Sequence, residues 1–141
     1  MSNSSPQVGY VLKQAQSLLH LRMEEALRPL QLTVSHYSCL HHLRREPGIS
    51  ASDLARRTFV TRQSMNVMLQ QLIDRDLVER PAHAESGRAL PTLLTPAGAS
   101  ALDAAQALVD GVERRMLSGL TRDQSAALAD ALAECVGALA E

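Results

Sequence analysis

Aromatic side chains are nearly missing from this chain: two tyrosines, one phenylalanine and no tryptophan in 141 residues. A core without rings must be aliphatic. At 45% hydrophobic content, an Ala- and Leu-rich composition favours helix over strand. Cysteine is scarce as well. Cys39 and Cys135 lie far apart and form no C-x-x-C pair, which argues against a disulfide framework or a zinc ribbon. No apolar run approaches the ~20 residues of a membrane span. The stretch from Met1 to Pro6 lacks the basic and apolar regions of a secretory signal. The chain contains no G-x-S-x-G, H-E-x-x-H, P-loop or paired-carboxylate constellation, so neither an enzyme nor a cofactor is expected. The expectation is a cytoplasmic protein of one domain, residues 1–141, with no membrane partner.

The net charge of -1 argues against a polyanion partner only while its distribution is ignored. Residues 1–95 carry eleven Lys and Arg against eight Asp and Glu, and residues 96–141 carry three against seven. The positive excess therefore sits in the first two thirds of the chain, where it can form a basic face.

What is present is punctuated helix. Val8, Val11, Leu12, Ala15, Leu18, Leu19, Met23, Ala26, Leu27 and Leu30 recur at three- and four-residue steps, an amphipathic helix broken near Pro29. Thr33 caps a second helix, which Pro47-Gly48 ends. Ser50 and Asp53 form an S-x-x-D start for a short third helix to about Arg57. After the turn Thr58-Phe-Val, Thr61 caps a fourth helix with the core stripe Met65, Met68, Leu69, Leu72 and Ile73. Leu77–Pro81 and Leu90–Leu94 read as short strands around a loop, with Pro91 confining its strand to an edge or to the residues after it. Thr95-Pro96 starts a fifth helix, and Thr121 with Gln124 forms a capping box for a sixth. The expected fold class is mainly α with a small β-wing. A winged helix-turn-helix core at about 33–95 lies between dimerisation helices at 7–30 and 96–141. The apolar stripes of the flanking helices are wider than one subunit can cover, which points to a homodimer.

The fourth helix carries the recognition chemistry. Arg62, Gln63, Ser64 and Asn66 are donors and acceptors in its first turns, and Gln70 lies one turn beyond Asn66. Arg forks onto guanine, Gln and Asn pair with adenine, and Ser suits bases or phosphate. No acid appears before Asp74, as insertion beside phosphates requires. Ser50, Ser52 and Thr61 stand at helix starts, where hydroxyls and free N–H groups bind phosphate or simply cap. Arg88, in the loop between the strands, is the candidate for the minor groove. The expected partner is double-stranded DNA with a pseudo-palindromic operator, because two symmetric recognition helices sit about 34 Å apart.

These motifs, in this order, resemble the MarR family of bacterial transcription regulators. The resemblance runs from Leu30-Gln-Leu-Thr33 and Tyr37-x-x-Leu40 through Ser52-Asp-Leu-Ala55 and Asp76-Leu-Val78. It continues through Arg88 and Leu94-Thr-Pro-Ala-Gly98 to the last helix. It implies a triangular homodimer with interlocked terminal helices, repression of nearby genes, and release from DNA by small aromatic acids or phenols. The chain departs from the family pattern at Ser86, where an Asp commonly stands, at Glu85 and Gly87, and at Val67, where many members carry a polar or basic residue. An effector site is expected between the first, second and fifth helices, with Tyr37, His36, His42, His20, Met23 and Arg22 as candidates: an aromatic carboxylate needs an apolar slot and one or two donors. The alternatives are a redox- or metal-responsive regulator of the same fold, using Cys39, Cys135 or the histidines, and a winged-helix module that binds protein. No metal ligand set is assigned, because His41 and His42 are adjacent on a helix and diverge.

Overall fold

The computed structural model describes residues 7–81 and 91–140. Helix α1 (Val8–Leu27) gives way to a 3₁₀ turn, Arg28–Leu30, at Pro29. Gln31 then takes a left-handed φ of 56°, and its N–H returns to the Arg28 carbonyl. Helix α2 (Val34–Arg45) starts at Thr33 in a reciprocal cap. The Thr33 hydroxyl accepts from His36 N–H at 3.0 Å, and His36 Nδ1 accepts from Thr33 N–H at 3.2 Å. Glu24 of α1 accepts from Val34 N–H, so the start of α2 is also satisfied by the preceding helix.

Helix α3 (Ala51–Thr58) is capped by Ser50 and stops where Phe59 turns left-handed. Helix α4 (Arg62–Asp74) is capped by Thr61, whose hydroxyl accepts from Ser64 N–H at 3.0 Å. Strands β1 (Val78–Glu79) and β2 (Leu93–Leu94) pair antiparallel, Val78 opposite Leu94 and Glu79 opposite Leu93. The described ladder is shorter than the expected strands because Pro81 and Pro91 have no N–H to extend it; Leu90 lies outside the described residues. Helices α5 (Pro96–Met116) and α6 (Arg122–Leu139) complete the chain, α6 starting in the Thr121–Gln124 capping box. The fold is mainly α with one small sheet, as composition and periodicity suggested.

One aliphatic core joins α2, α3, α4, β1 and part of α5. Leu40, Leu43, Leu54, Met65, Leu69, Leu72, Val78 and Leu102 are fully buried in it. A boundary at residue 95 cuts through this core. Leu27 at the end of α1 and Gly98, Leu102 and Ala105 at the start of α5 are buried. The expectation that the outer helices merely flank the centre is therefore too simple: the sheet needs α5 behind it. Contact there is tight. A Cβ on Gly98 would meet the Leu77 carbonyl oxygen at 1.9 Å, so only glycine lets α5 approach β1.

The distal parts of the outer helices are different. Helix α6 has no buried residue, and α1 has only Leu27. Val8, Val11, Leu12, Leu18 and Leu21 on α1 and Leu128, Val136 and Leu139 on α6 are exposed. No described helix is long and apolar enough to cross a membrane.

Candidate nucleic-acid interface

Helix α4 sorts its side chains by face. Met65, Leu69 and Leu72 enter the core, while Arg62, Gln63, Ser64, Asn66, Val67, Gln70 and Gln71 are exposed. The first acid on this helix is Asp74, and its carboxylate accepts from Gln70 Nε2 at 2.9 Å. Thr61 and Ser64 pair their hydroxyls at 2.9 Å, which fixes the helix start. Among the described residues Arg62 is in no ion pair, whereas Arg56 pairs with Asp53 and Arg57 with Glu46. Arg62 is thus the cation held free at the entry of α4.

The remaining backbone-contact candidates fall at the two helix starts. The Ser50 hydroxyl accepts from Asp53 N–H at 3.1 Å, an N-cap that leaves its other lone pair and its proton available. Ser52 is half-buried in the first turn of α3. Arg88, with Glu85, Ser86 and Gly87, lies outside the described residues.

Two residues of the exposed face were absent from the candidates drawn from sequence. Gln71 is tied to α2: Thr33 N–H donates to His36 Nδ1, so Nε2 carries the proton and donates to Gln71 Oε1 at 3.0 Å. The Gln71 amide NH₂ remains outward. Val67 is the other, 56% exposed in the midst of amides. A count at 100° per residue would have placed both outward. Arg75 holds the far end of α4 by donating to the Gln31 and Leu30 carbonyls at 2.6 and 3.3 Å.

The six effector candidates are dispersed. His36 lines a cavity of about 420 Å³ between α2 and α4, with Thr33, Ser35, Gln63, Val67 and Met68 among its walls. Arg22 instead lines a groove of about 310 Å³ between α1 and α5, with Leu18, Leu19, Val112, Arg115 and Met116. Arg22 also pairs with Glu25 at 2.6 Å. The Tyr37 hydroxyl donates to Gln106 Oε1 at 2.7 Å, and burial pushes the phenol above its ordinary range against the pull of that bond. His42 Nδ1–H donates to the Ser38 carbonyl at 2.8 Å. His20 is exposed and Met23 half-buried.

Cys39 is wholly buried, with Sγ 3.1 Å from Met68 Sδ and 3.5 Å from Met65 Sδ, and burial pushes its thiol up to about 12. A thiol in that setting is a core hydrophobe, not a nucleophile. Cys135 is exposed. Among the described residues no three His, Cys, Asp or Glu side chains are grouped to hold a metal.

Two short helices meeting at the turn Phe59–Thr61, the second with a polar outer face and followed by an antiparallel pair of strands, define a winged helix-turn-helix protein. A MarR family model matches residues 30–89. The chain is 40% identical over 117 residues to the HTH-type transcriptional repressor Rv2887 of Mycobacterium tuberculosis, spanning 83% of this chain and 84% of that one. The chain belongs to the MarR family. Its fold is similar to the crystal structure of Rv2887 in complex with DNA, with TM-score 0.81 and 34% identity over 93% of this chain and 98% of the other. Against the salicylic acid complex of the same protein the TM-score is 0.77, with 36% identity over 96% and 99% of the two chains. Apo MarR from E. coli shares the fold at TM-score 0.81 with 22% identity, over 94% of this chain and 99% of the other.

Proposed function

We propose that this chain is a cytoplasmic, sequence-specific DNA-binding repressor that acts as a homodimer and leaves its operator when a small aromatic acid binds. The observation that carries the reading is the exposed face of α4. It is acid-free to Asp74 and opens with an arginine that is in no ion pair among the described residues, and a buried aliphatic stripe lies opposite. In this reading Arg62, Gln63, Asn66 and Gln70 address base edges, and Ser50, Ser52, Thr61 and Ser64 address phosphates. Arg88 enters the minor groove. The whole of residues 1–141 works as one unit, with the reading lobe at about 33–95. The exposed apolar residues of α1 and α6 give two copies a surface to share, which fixes the spacing of the two reading helices.

For the effector, the groove between α1 and α5 supplies what an aromatic carboxylate needs. Leu18, Leu19, Val112 and Met116 form an apolar slot, and Arg22 and Arg115 carry the charge. It lies along the two helices that support the lobe, so occupancy there can favour a different lobe spacing. The support from relatives is that Rv2887 has been crystallised with DNA, with salicylic acid and with p-aminosalicylic acid.

The test is enrichment of duplexes from a random library. A palindromic site with affinity falling steeply in salt is expected. Salicylate should then release the protein, and Arg22→Ala should blunt that release. A chain that enriches no duplex at low salt would overturn the reading of α4, and operator binding indifferent to salicylate would overturn the effector.

A further inference from the structure

Val67 is out of place on α4 unless it has a partner. It lies roughly 140–160° around the helix axis from each of the buried Met65, Leu69 and Leu72, at 100° per residue. That is the middle of the outward stripe, with Gln63 one turn before it and Gln71 one turn after it. Yet it is apolar and 56% exposed, while its exposed neighbours are Gln63, Ser64, Asn66, Gln70 and Gln71. Packing within the subunit does not account for it. With Met68 it forms the apolar part of the wall of the cavity between α2 and α4, whose remaining walls are polar.

The edges of base pairs in the major groove offer hydrogen-bond donors and acceptors, with one apolar group among them, the C5-methyl of thymine. An isopropyl group at the centre of a groove-facing stripe has no donor or acceptor for any other edge. Opposite guanine, adenine or cytosine it would strip water from a polar group and return nothing. Opposite thymine it buries a methyl.

We propose that Val67 is a specificity-determining residue that reads a thymine by its methyl group, flanked by contacts from Gln63 and Gln71. The inference rests on the DNA-reading role of α4 given above and adds the base that the centre of the helix selects. Because the Gln71 carbonyl is occupied by His36, that amide contributes N–H donors only. It therefore suits the acceptor edge of a neighbouring purine or thymine.

The test uses duplexes enriched by the wild-type protein, with each thymine replaced in turn by deoxyuridine, which lacks only the methyl. At one thymine per half-site the wild type loses about fourfold in affinity, the ~0.8 kcal/mol of one buried carbon group. Val67→Ser abolishes that difference, and Val67→Thr, which keeps one methyl, retains part of it. Because Val67 is exposed, the variants keep the wild-type thermal midpoint, measured alongside. If the wild type binds thymine and deoxyuridine alike at every position, or Val67→Ser keeps the same preference, the proposal fails while DNA reading by α4 stands. If no duplex is enriched at all, both fall together.

Discussion

Gly98→Ala is the substitution whose outcome the structure constrains most tightly. The added Cβ would lie 1.9 Å from the Leu77 carbonyl oxygen and 2.9 Å from its carbon. An ordinary carbon-to-oxygen contact is about 3.3 Å, so α5 or β1 must move by roughly 1.4 Å. Neither moves freely. Thr95 N–H donates to the same Leu77 oxygen at 3.2 Å, and the Thr95 hydroxyl donates to the Asp76 carbonyl at 2.6 Å while accepting from Gly98 N–H at 2.9 Å. Overpacking of this kind costs about 1–3 kcal/mol, and a strained or lost hydrogen bond adds about 1 kcal/mol. Replacing glycine by alanine within a helix returns at most about 1 kcal/mol. The net is a loss of about 2 kcal/mol, or a fall of roughly 8 °C in thermal midpoint for a chain of this size. Differential scanning calorimetry at fixed protein concentration measures it. An unchanged or raised midpoint would refute the close approach of α5 to β1.

Three further outcomes follow from the same geometry. Thr61→Ala removes the cap of α4 and lowers stability by about 1 kcal/mol, while Thr61→Ser restores it; equal urea midpoints for all three proteins would contradict the cap. In a Cys135→Ser background, Cys39 stays unreactive toward a disulfide reagent until denaturant is added, because burial holds its thiol near 12; rapid labelling of the native protein would show that the thiol is not enclosed. His41 sits below the ordinary value of 6.5, first through burial and then through His42, Arg45 and Arg44. The unfolded chain therefore takes up the proton more readily, and stability declines as pH falls through about 6.5 and below. Denaturant midpoints compared at about pH 7.5 and about pH 5.5 should show that decline, and His41→Gln should reduce it.

The amino-acid sequence alone determined the elements and their order. Pro29, Pro47-Gly48 and Pro96 punctuate the helices, and Thr33, Ser50, Thr61, Thr95 and Thr121 each cap the helix that follows. These are local effects, carried by side chains bonding to backbone within a turn, so they can be read without a partner element. The polar stripe of α4 was legible for the same reason, since helical periodicity separates it from Met65, Leu69 and Leu72. What depends on distant residues was not. His36 belongs with Gln71 of α4 rather than with Arg22, Arg75 secures the turn at Leu30 and Gln31, and Gly98 is shaped to the carbonyl of Leu77. Val67 stands between the two cases: its angle on the helix turns it away from Met65, Leu69 and Leu72, and the packed structure adds that it stays 56% exposed. The fold of each segment is a matter of neighbours along the chain, but which surfaces remain for a ligand is decided by what the other segments cover.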